Sequence, residues 1–279
     1  MSDLLEPFSY DFMQRAFVAA FIVGALCSTM GTYVVLRKLS FIGDGLAHAS
    51  FAGIAIAYLR GANFWAGAAI ASVVTALGIG YVHRRANVSL DTSIGVLFTA
   101  AFALGVFILS RSSRATVDLQ SYLFGNILGV GPSDLVMVLG LGFVVALVVG
   151  ALWRPLLYTS FDPVVAQAAG IKARLVDDTL LVLLALTIIV SLPLVGIVLV
   201  AALLVTPAAA AAQLTRRFIP MMLLSAAFGI TSSVGGLYAS YWLKSASGAT
   251  IVLVATLLFF LALVVAALRR PRGAAARQT

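Results

Sequence analysis

Charge is scarce in this 279-residue chain. Only 10% of its residues are Asp, Glu, Lys or Arg, while 62% are hydrophobic. A soluble domain averages about 25% charged and about 45–50% apolar residues. A soluble fold this apolar would lack the polar side chains needed to cover its surface. A soluble globular enzyme is therefore excluded, and disorder fails for the same abundance of apolar residues. Cysteine is almost missing: Cys27 stands alone, so no disulfide forms within the chain and no two-cysteine metal clip exists. There is no Gly-x-x-x-x-Gly-Lys-Ser/Thr stretch, no His-Glu-x-x-His and no Gly-x-Ser-x-Gly. The chain thus carries no nucleotide-binding loop of its own and no catalytic constellation. No enzymatic activity is expected of it.

What is present is an integral membrane protein, with an all-α fold dictated by the bilayer. The net charge is +8, yet nucleic acid is not the partner. The basic residues sit in short clusters between apolar runs, at Arg37-Lys38, Arg84-Arg85, Arg216-Arg217 and Arg269, Arg270 and Arg272, with no long hydrophilic face to meet a polyanion. The N-terminal Met1-Ser2-Asp3-Leu4-Leu5-Glu6 is acidic and lacks the basic region of a signal peptide. Gly24-Ala25-Leu26 before Cys27 makes a poor lipoprotein signal, so the first apolar run reads as a permanent span.

A helical span needs about 20 apolar residues. Runs of that kind lie at 16–36, 46–59, 64–82, 93–110, 135–152, 220–242 and 249–268. A further run from 179 to 213 is too long for one helix; Pro193 is the natural break, giving spans near 176–192 and 194–213. The count is eight or nine, since 46–59 is short. With nine spans and the N-terminus outside, the inner loops and tail hold Arg37, Lys38, Arg84, Arg85, Arg154, Lys172, Arg174, Arg216, Arg217, Arg269, Arg270, Arg272 and Arg277. The outer side keeps Arg15, Arg60, Arg111, Arg114 and Lys244. That bias is the positive-inside pattern, and it supports nine spans with a basic cytoplasmic tail at 269–279.

Two connecting segments exceed what a loop requires. The outer one, 111–134, contains an apolar stretch from Leu119 to Leu128 and then Gly129, Gly131 and Pro132, which suits a short re-entrant helix. The inner one, 153–178, reads as a short helix capped by Ser160 or Asp162, with Pro163 in its first turn and Gly170 at its end. It suits docking of a soluble partner, or simply a structured loop. Pro193 and Thr206-Pro207 interrupt otherwise apolar helices and mark hinge positions. Asp177-Asp178 and Asp91 precede apolar runs, where acidic residues favour a helix N-terminus, and read as caps. His83, before Arg84-Arg85, reads as an interfacial residue.

Charges at membrane depth are costly and functional by default. Asp44 and His48, in Gly43-Asp44-Gly45-Leu46-Ala47-His48, are four residues apart and share one helical face, continued by Ala52 and Ala55. Carboxylate with imidazole suits Zn²⁺, Mn²⁺ or Fe²⁺. Two ligands are few for a tight site, but a two-fold dimer brings two Asp and two His together. Three other readings stand beside this one: a structural Asp–His hydrogen bond, a proton relay, and a pair facing a water-filled vestibule.

Several stretches resemble the permease subunits of bacterial ABC importers for zinc, manganese or iron. They run from Gly31 to Ala49, from Asp118 to Leu128, from Phe161-Asp162-Pro163 through Ala169-Gly170, and from Val190 through Pro193 to Pro207-Ala208-Ala209. They follow the family's order and spread over most of the chain. The resemblance implies a single permease domain, 1–279, of the type II importer kind in the bacterial cytoplasmic membrane. It implies a second permease subunit, identical or related, two cytoplasmic ATP-binding subunits and an extracytoplasmic metal-binding protein. It implies a transported Zn, Mn or Fe ion and no permanent cofactor. Asp44 and His48 match the family's metal positions. Asp162, Pro163, Ala166 and Gly170 match the segment that couples to the ATPase. The outer segment 118–128, including Gly125, matches the face that meets the binding protein or gates the path, with Pro193 and Pro207 as further gate or hinge candidates. The alternative is an ion-coupled secondary transporter, which needs no ATPase; such proteins show inverted repeats with paired broken helices, and no such repeat is evident.

Overall fold

The computed structural model describes residues 3–111 and 125–269. Most of the outer segment expected to be re-entrant, 112–124, lies outside the described residues, as does the basic tail after Arg269. Among the described residues the fold is helical, without strands. The long helices are α1 (Asp11–Leu36), α2 (Ile42–Arg60), α3 (Phe64–Ala86), α4 (Leu90–Ser110), α5 (Pro132–Ala151), α8 (Ala173–Leu214), α9 (Phe218–Leu243) and α10 (Ser247–Arg269). Two short ones, α6 (Trp153–Phe161) and α7 (Pro163–Ala168), lie between α5 and α8. All eight long helices are apolar and long enough to cross a bilayer. The 46–59 span is thus a complete helix of 19 residues, not a partial one.

Local chemistry sets the ends. The Asn63 side chain accepts from the Trp65 and Ala66 amides at 2.8 and 3.3 Å and starts α3. Ser89 accepts from the Thr92 amide at 3.0 Å and starts α4. Asp91 is therefore not the cap; it lies one residue inside the first turn. Asp134 reaches back to the Gly131 amide at 3.0 Å at the start of α5. Asp177 and Asp178 are not caps either. The α8 helix begins at Ala173, so both carboxylates stand beyond its orphan amides, and both are committed to arginines instead.

The 42-residue α8 breaks at Gly196, where φ is 78° and ψ 167°. Near its start Asp177 pairs with Arg37 at the end of α1. Four residues past its end, Phe218 packs on Tyr33 of α1 at 5.2 Å and on Trp153 at 5.3 Å. Both ends of α8 thus lie at the same end of the molecule, whereas an unbroken helix of that length would part them by about 60 Å. The chain reverses at Gly196 and α8 is a rising and a returning leg. The break falls three residues after Pro193. Proline's φ is compatible with a helix; it deletes one hydrogen bond and its ring crowds the carbonyl four residues back, which kinks a helix but leaves the direction of the chain broadly the same. The conformation at 196 is one that side-chain-bearing residues avoid.

With that reversal the described residues make nine crossings. Ten of the fourteen described basic residues gather at one end: Arg37, Lys38, Arg84, Arg85, Arg154, Lys172, Arg174, Arg216, Arg217 and Arg269. The N-terminal segment lies at the opposite end, where Phe8 meets Tyr238 at 6.5 Å. Small residues let the helices cross closely, as is usual within membranes. A side-chain carbon built on Gly53 of α2 would meet the Gly67 carbonyl oxygen of α3 at 1.9 Å, and one on Gly24 of α1 would meet Ser233 Oγ of α9 at 2.2 Å. Ser28 joins three elements, donating to the Leu203 carbonyl at 3.3 Å and accepting at its own carbonyl from Ser225 at 2.6 Å.

Candidate metal site

The link from α1 to α2 is a tight turn. The Leu39 amide donates to the Val34 carbonyl at 2.8 Å and the Lys38 amide to Val35 at 3.2 Å. Lys38 has φ 57°, so α1 closes with a Schellman arrangement. Leu39 and Ile42 are buried, which seats the start of α2 inside the bundle. There Gly43 packs against Ala201 and Leu204 of the returning leg, and Gly45 against Ile94 of α4. The same Leu204 crosses Gly31, six residues or about 9 Å before Arg37. Asp44 therefore begins about two turns inside the basic end, and His48 lies one turn deeper.

Asp44 and His48 face outward from the protomer: the carboxylate is exposed and the imidazole half-buried, while the residues between them are buried. His48 Nδ1 lies 2.8 Å from the Asp44 carbonyl oxygen. A carbonyl only accepts, so Nδ1 donates, and Nε2 is the ring nitrogen left for a ligand. Phe102 of α4 sets its edge against the imidazole at 5.5 Å and Phe98 lies at 6.0 Å; Phe102 in turn rests on Phe51 at 5.5 Å. The ring is thus held on two sides. The Asp44 carboxylate has no hydrogen-bond or ion-pair partner among the described residues. The structural Asp–His hydrogen bond of the sequence reading therefore takes a different form, imidazole to backbone, and leaves the carboxylate oxygens available. No third His, Cys, Asp or Glu joins the pair among the described residues.

At the basic end, Asp162 caps α7, accepting from the Val164 and Val165 amides at 2.9 and 3.0 Å. Pro163 is the first helical residue, Ala166 is buried against the body and Val164 and Val165 are exposed. Gly170, with φ 81°, ends the turn. Near the opposite end, Gly125 and Pro193 come together. The Asn126 amide donates to the Pro193 carbonyl at 3.3 Å, and a side-chain carbon on Gly125 would lie 2.3 Å from the Gly196 nitrogen. The 125–130 strip, with Ile127 and Val130 buried, seals the tip of the α8 hairpin. Pro207 stands apart, buried in the returning leg. His83 is half-buried at the end of α3, its Nδ1 donating to the Val88 carbonyl at 2.7 Å.

Residues that sequence reasoning passed over complete the picture. Arg37 sits at the end of α1, and its Nε donates to Ser160 at 3.0 Å, its Nη2 to Thr159 at 2.6 Å and its Nη1 to Asp177 at 2.5 Å. Arg84 pairs with Asp178 at 2.8 Å. Phe98 and Phe102 are unmarked in an apolar run. Only the arginines carried a signal, as charges next to span ends, and that signal serves orientation equally well.

Comparison with known proteins agrees with this architecture. The model of the ABC 3 transport family matches residues 9–266. The manganese transport system membrane protein MntC of Halalkalibacterium halodurans is 46% identical over 91% of this chain and 87% of its own length. The manganese import system permease protein ScaB of Streptococcus parasanguinis is 37% identical over 94% of this chain and 93% of its own. The solved structure of PsaBC from Streptococcus pneumoniae in complex with Fab superposes with a TM-score of 0.82 at 32% identity, covering 94% of this chain and 95% of that one. Matched by that family model over nearly its whole length, with nine apolar crossings and an outward-facing Asp–His pair, the chain belongs to the ABC 3 transport family as a membrane permease.

Proposed function

We propose that this chain is one half of the membrane path of an ATP-driven importer for a divalent transition metal, with Mn²⁺ as the first substrate to test. The observation that carries the reading is the Asp44–His48 pair: a free carboxylate and a free Nε2, one turn apart, on an outward face of the protomer. A second permease subunit, a copy or a related chain, brings its own pair across the path. Two carboxylates and two imidazoles then bind an ion through oxygen and nitrogen, a donor set that suits manganese and iron and also accommodates zinc. The names of the relatives MntC and ScaB favour manganese. Without thiolates such a site holds its ion loosely enough to release it.

The basic end is cytoplasmic by the positive-inside pattern, which puts the N-terminus outside and the C-terminus inside the bacterial cytoplasmic membrane. The exposed valines of α7, framed by Asp162, Pro163, Ala166 and Gly170, dock in a separate ATP-binding subunit. An extracytoplasmic binding protein delivers the ion at the other end, where Gly125 and Pro193 meet over the hairpin tip and act as the outer gate. Pro207, in the returning leg beside the metal helix, is the hinge. The permease hydrolyses nothing and keeps no cofactor; the metal is cargo.

The test is ATP-dependent Mn²⁺ uptake into proteoliposomes holding the permease, its ATPase and its binding protein. Asp44→Ala and His48→Ala each abolish uptake while the complex still assembles. Wild-type uptake by both variants would overturn the site, and competition by Zn²⁺ or Fe²⁺ ranks the metals.

A further inference from the structure

The short helix α7 and the Asp44–His48 pair lie on different elements, so a movement of one reaches the other only through contacts between them. We infer that Arg37 is the positioning residue that links them, with Arg84 as a second arm; this rests on the metal-importer reading. Arg37 uses all three guanidinium nitrogens at once. Nε and Nη2 hold Ser160 and Thr159 of α6, the helix before α7, and Nη1 holds Asp177 of α8, the helix after it. Both flanks of α7 are thereby fastened to one side chain. The hydroxyls are themselves anchored, Ser160 donating to the Leu156 carbonyl at 2.6 Å and Thr159 to Pro155 at 2.9 Å, so the grip on α6 does not slip.

On its other side Arg37 is joined rigidly to the metal pair. Six residues lie between it and Asp44, and backbone hydrogen bonds brace the turn they form. The Arg37 amide donates to Tyr33, Lys38 to Val35, Leu39 to Val34, Ile42 to Leu39 and Gly45 to Phe41. With Leu39 and Ile42 buried, this turn moves as one piece. The second arm fastens the neighbouring helix: Arg84 near the end of α3 grips Asp178 with both terminal nitrogens, at 2.8 and 3.3 Å, and α3 crosses α2 at Gly53 and Gly67. Adjacent aspartates on α8 thus hold α1 and α3, the helices that precede and follow α2 in the chain. A cavity of about 340 Å³ lies against both pairs, lined in part by Arg37, Arg84, Gln167, Arg174 and Asp177, and leaves the arms room to move together.

Arginine is required at position 37 by geometry as well as charge. A lysine ammonium is a point charge that cannot hold two hydroxyls and a carboxylate in one planar fork. The test measures Mn²⁺ moved per ATP hydrolysed by the reconstituted complex. Arg37→Lys lowers that ratio by about tenfold, the scale of coupling energies carried by side chains that touch neither ligand. ATP hydrolysis and Mn²⁺ affinity of the resting complex stay near wild type. The exchanged pair Arg37→Asp with Asp177→Arg recovers part of the ratio. A merely structural arginine would lower assembly, hydrolysis and uptake in proportion and leave the ratio intact; that result overturns the link. Thr159→Val with Ser160→Ala, which keeps the ion pair, serves where Arg37→Lys fails to assemble, and an unchanged ratio there overturns it equally. A wild-type complex that hydrolyses ATP and moves no Mn²⁺ refutes the importer reading instead, a distinct outcome.

Discussion

The seal over the α8 hairpin rests on Gly125, and Gly125→Ala tests it. Two costs arise together. Gly125 has φ 67°, a left-handed conformation that costs an alanine about 1–2 kcal/mol. The new methyl carbon would lie 2.3 Å from the Gly196 nitrogen and 2.4 Å from the Val195 carbonyl carbon, where ordinary contact begins at 3.4 Å. Backbone stands on both sides of this overlap, so the strip must lift by about 1 Å, an overpacking cost of about 1–3 kcal/mol. Lifting also breaks the Asn126–Pro193 hydrogen bond, worth about 0.5–1.5 kcal/mol. The sum, about 3–6 kcal/mol, exceeds what two buried aliphatic side chains, Ile127 and Val130, hold down once the ordering of the strip is charged against them. The strip therefore detaches rather than deforms. Hydrogen exchange in detergent or nanodiscs reads this directly: protection of the Asn126 amide and of the turn at 195–198 falls by about 100-fold, as 3 kcal/mol implies. Gly129→Ala is the control, because the three atoms nearest its methyl all belong to the Asn126 side chain, whose displacement costs its hydrogen bond from the Gly129 amide and not the one between the Asn126 amide and Pro193. Exchange at Asn126 that is equal in wild type and Gly125→Ala would show that the strip does not clasp the hairpin, and the gate assignment would go with it.

Three further outcomes follow from the packing. Gly53→Ala forces α2 and α3 apart, since the new carbon would meet the Gly67 carbonyl oxygen at 1.9 Å; we expect a loss of about 2–3 kcal/mol and a lower thermal midpoint, with Gly95→Ala, where nothing lies within 4 Å, close to neutral. Phe102→Ala frees the His48 ring to turn and weakens Mn²⁺ binding about tenfold in a titration of the assembled permease, the scale of a lost orienting contact; unchanged affinity would mean that the Asp44 carbonyl alone orients the imidazole. Asp162→Ala strips α7 of its cap for about 1 kcal/mol, read as faster exchange at Val164 and Val165, while Asp162→Ser restores protection.

The spans were legible because a bilayer demands length and apolarity, both written locally, and their ends carry residues such as Asn63, Ser89 and Asp162 whose side chains satisfy amides two or three positions on. The shared face of Asp44 and His48 was legible because four residues make about one turn, whatever the tertiary fold. What escaped depended on partners distant in sequence. Asp177 and Asp178 look like caps until Arg37 and Arg84, 140 and 94 positions away, are seen to claim them. The helix break is placed at Pro193 by the rule that proline interrupts, yet the reversal needs the one residue that reaches its φ and ψ, Gly196. That distinction decides more than a boundary. A helix that only bent here would leave α8 as one long crossing, giving eight and putting both chain ends on one side of the membrane. A reversal at glycine gives nine, sets Phe8 and Arg269 on opposite sides, and returns Arg216 and Arg217 to the side of Arg37 and Arg84. Only with the reversal do the charges sort by side, so the backbone conformation of Gly196 and the distribution of arginines point separately to the same topology.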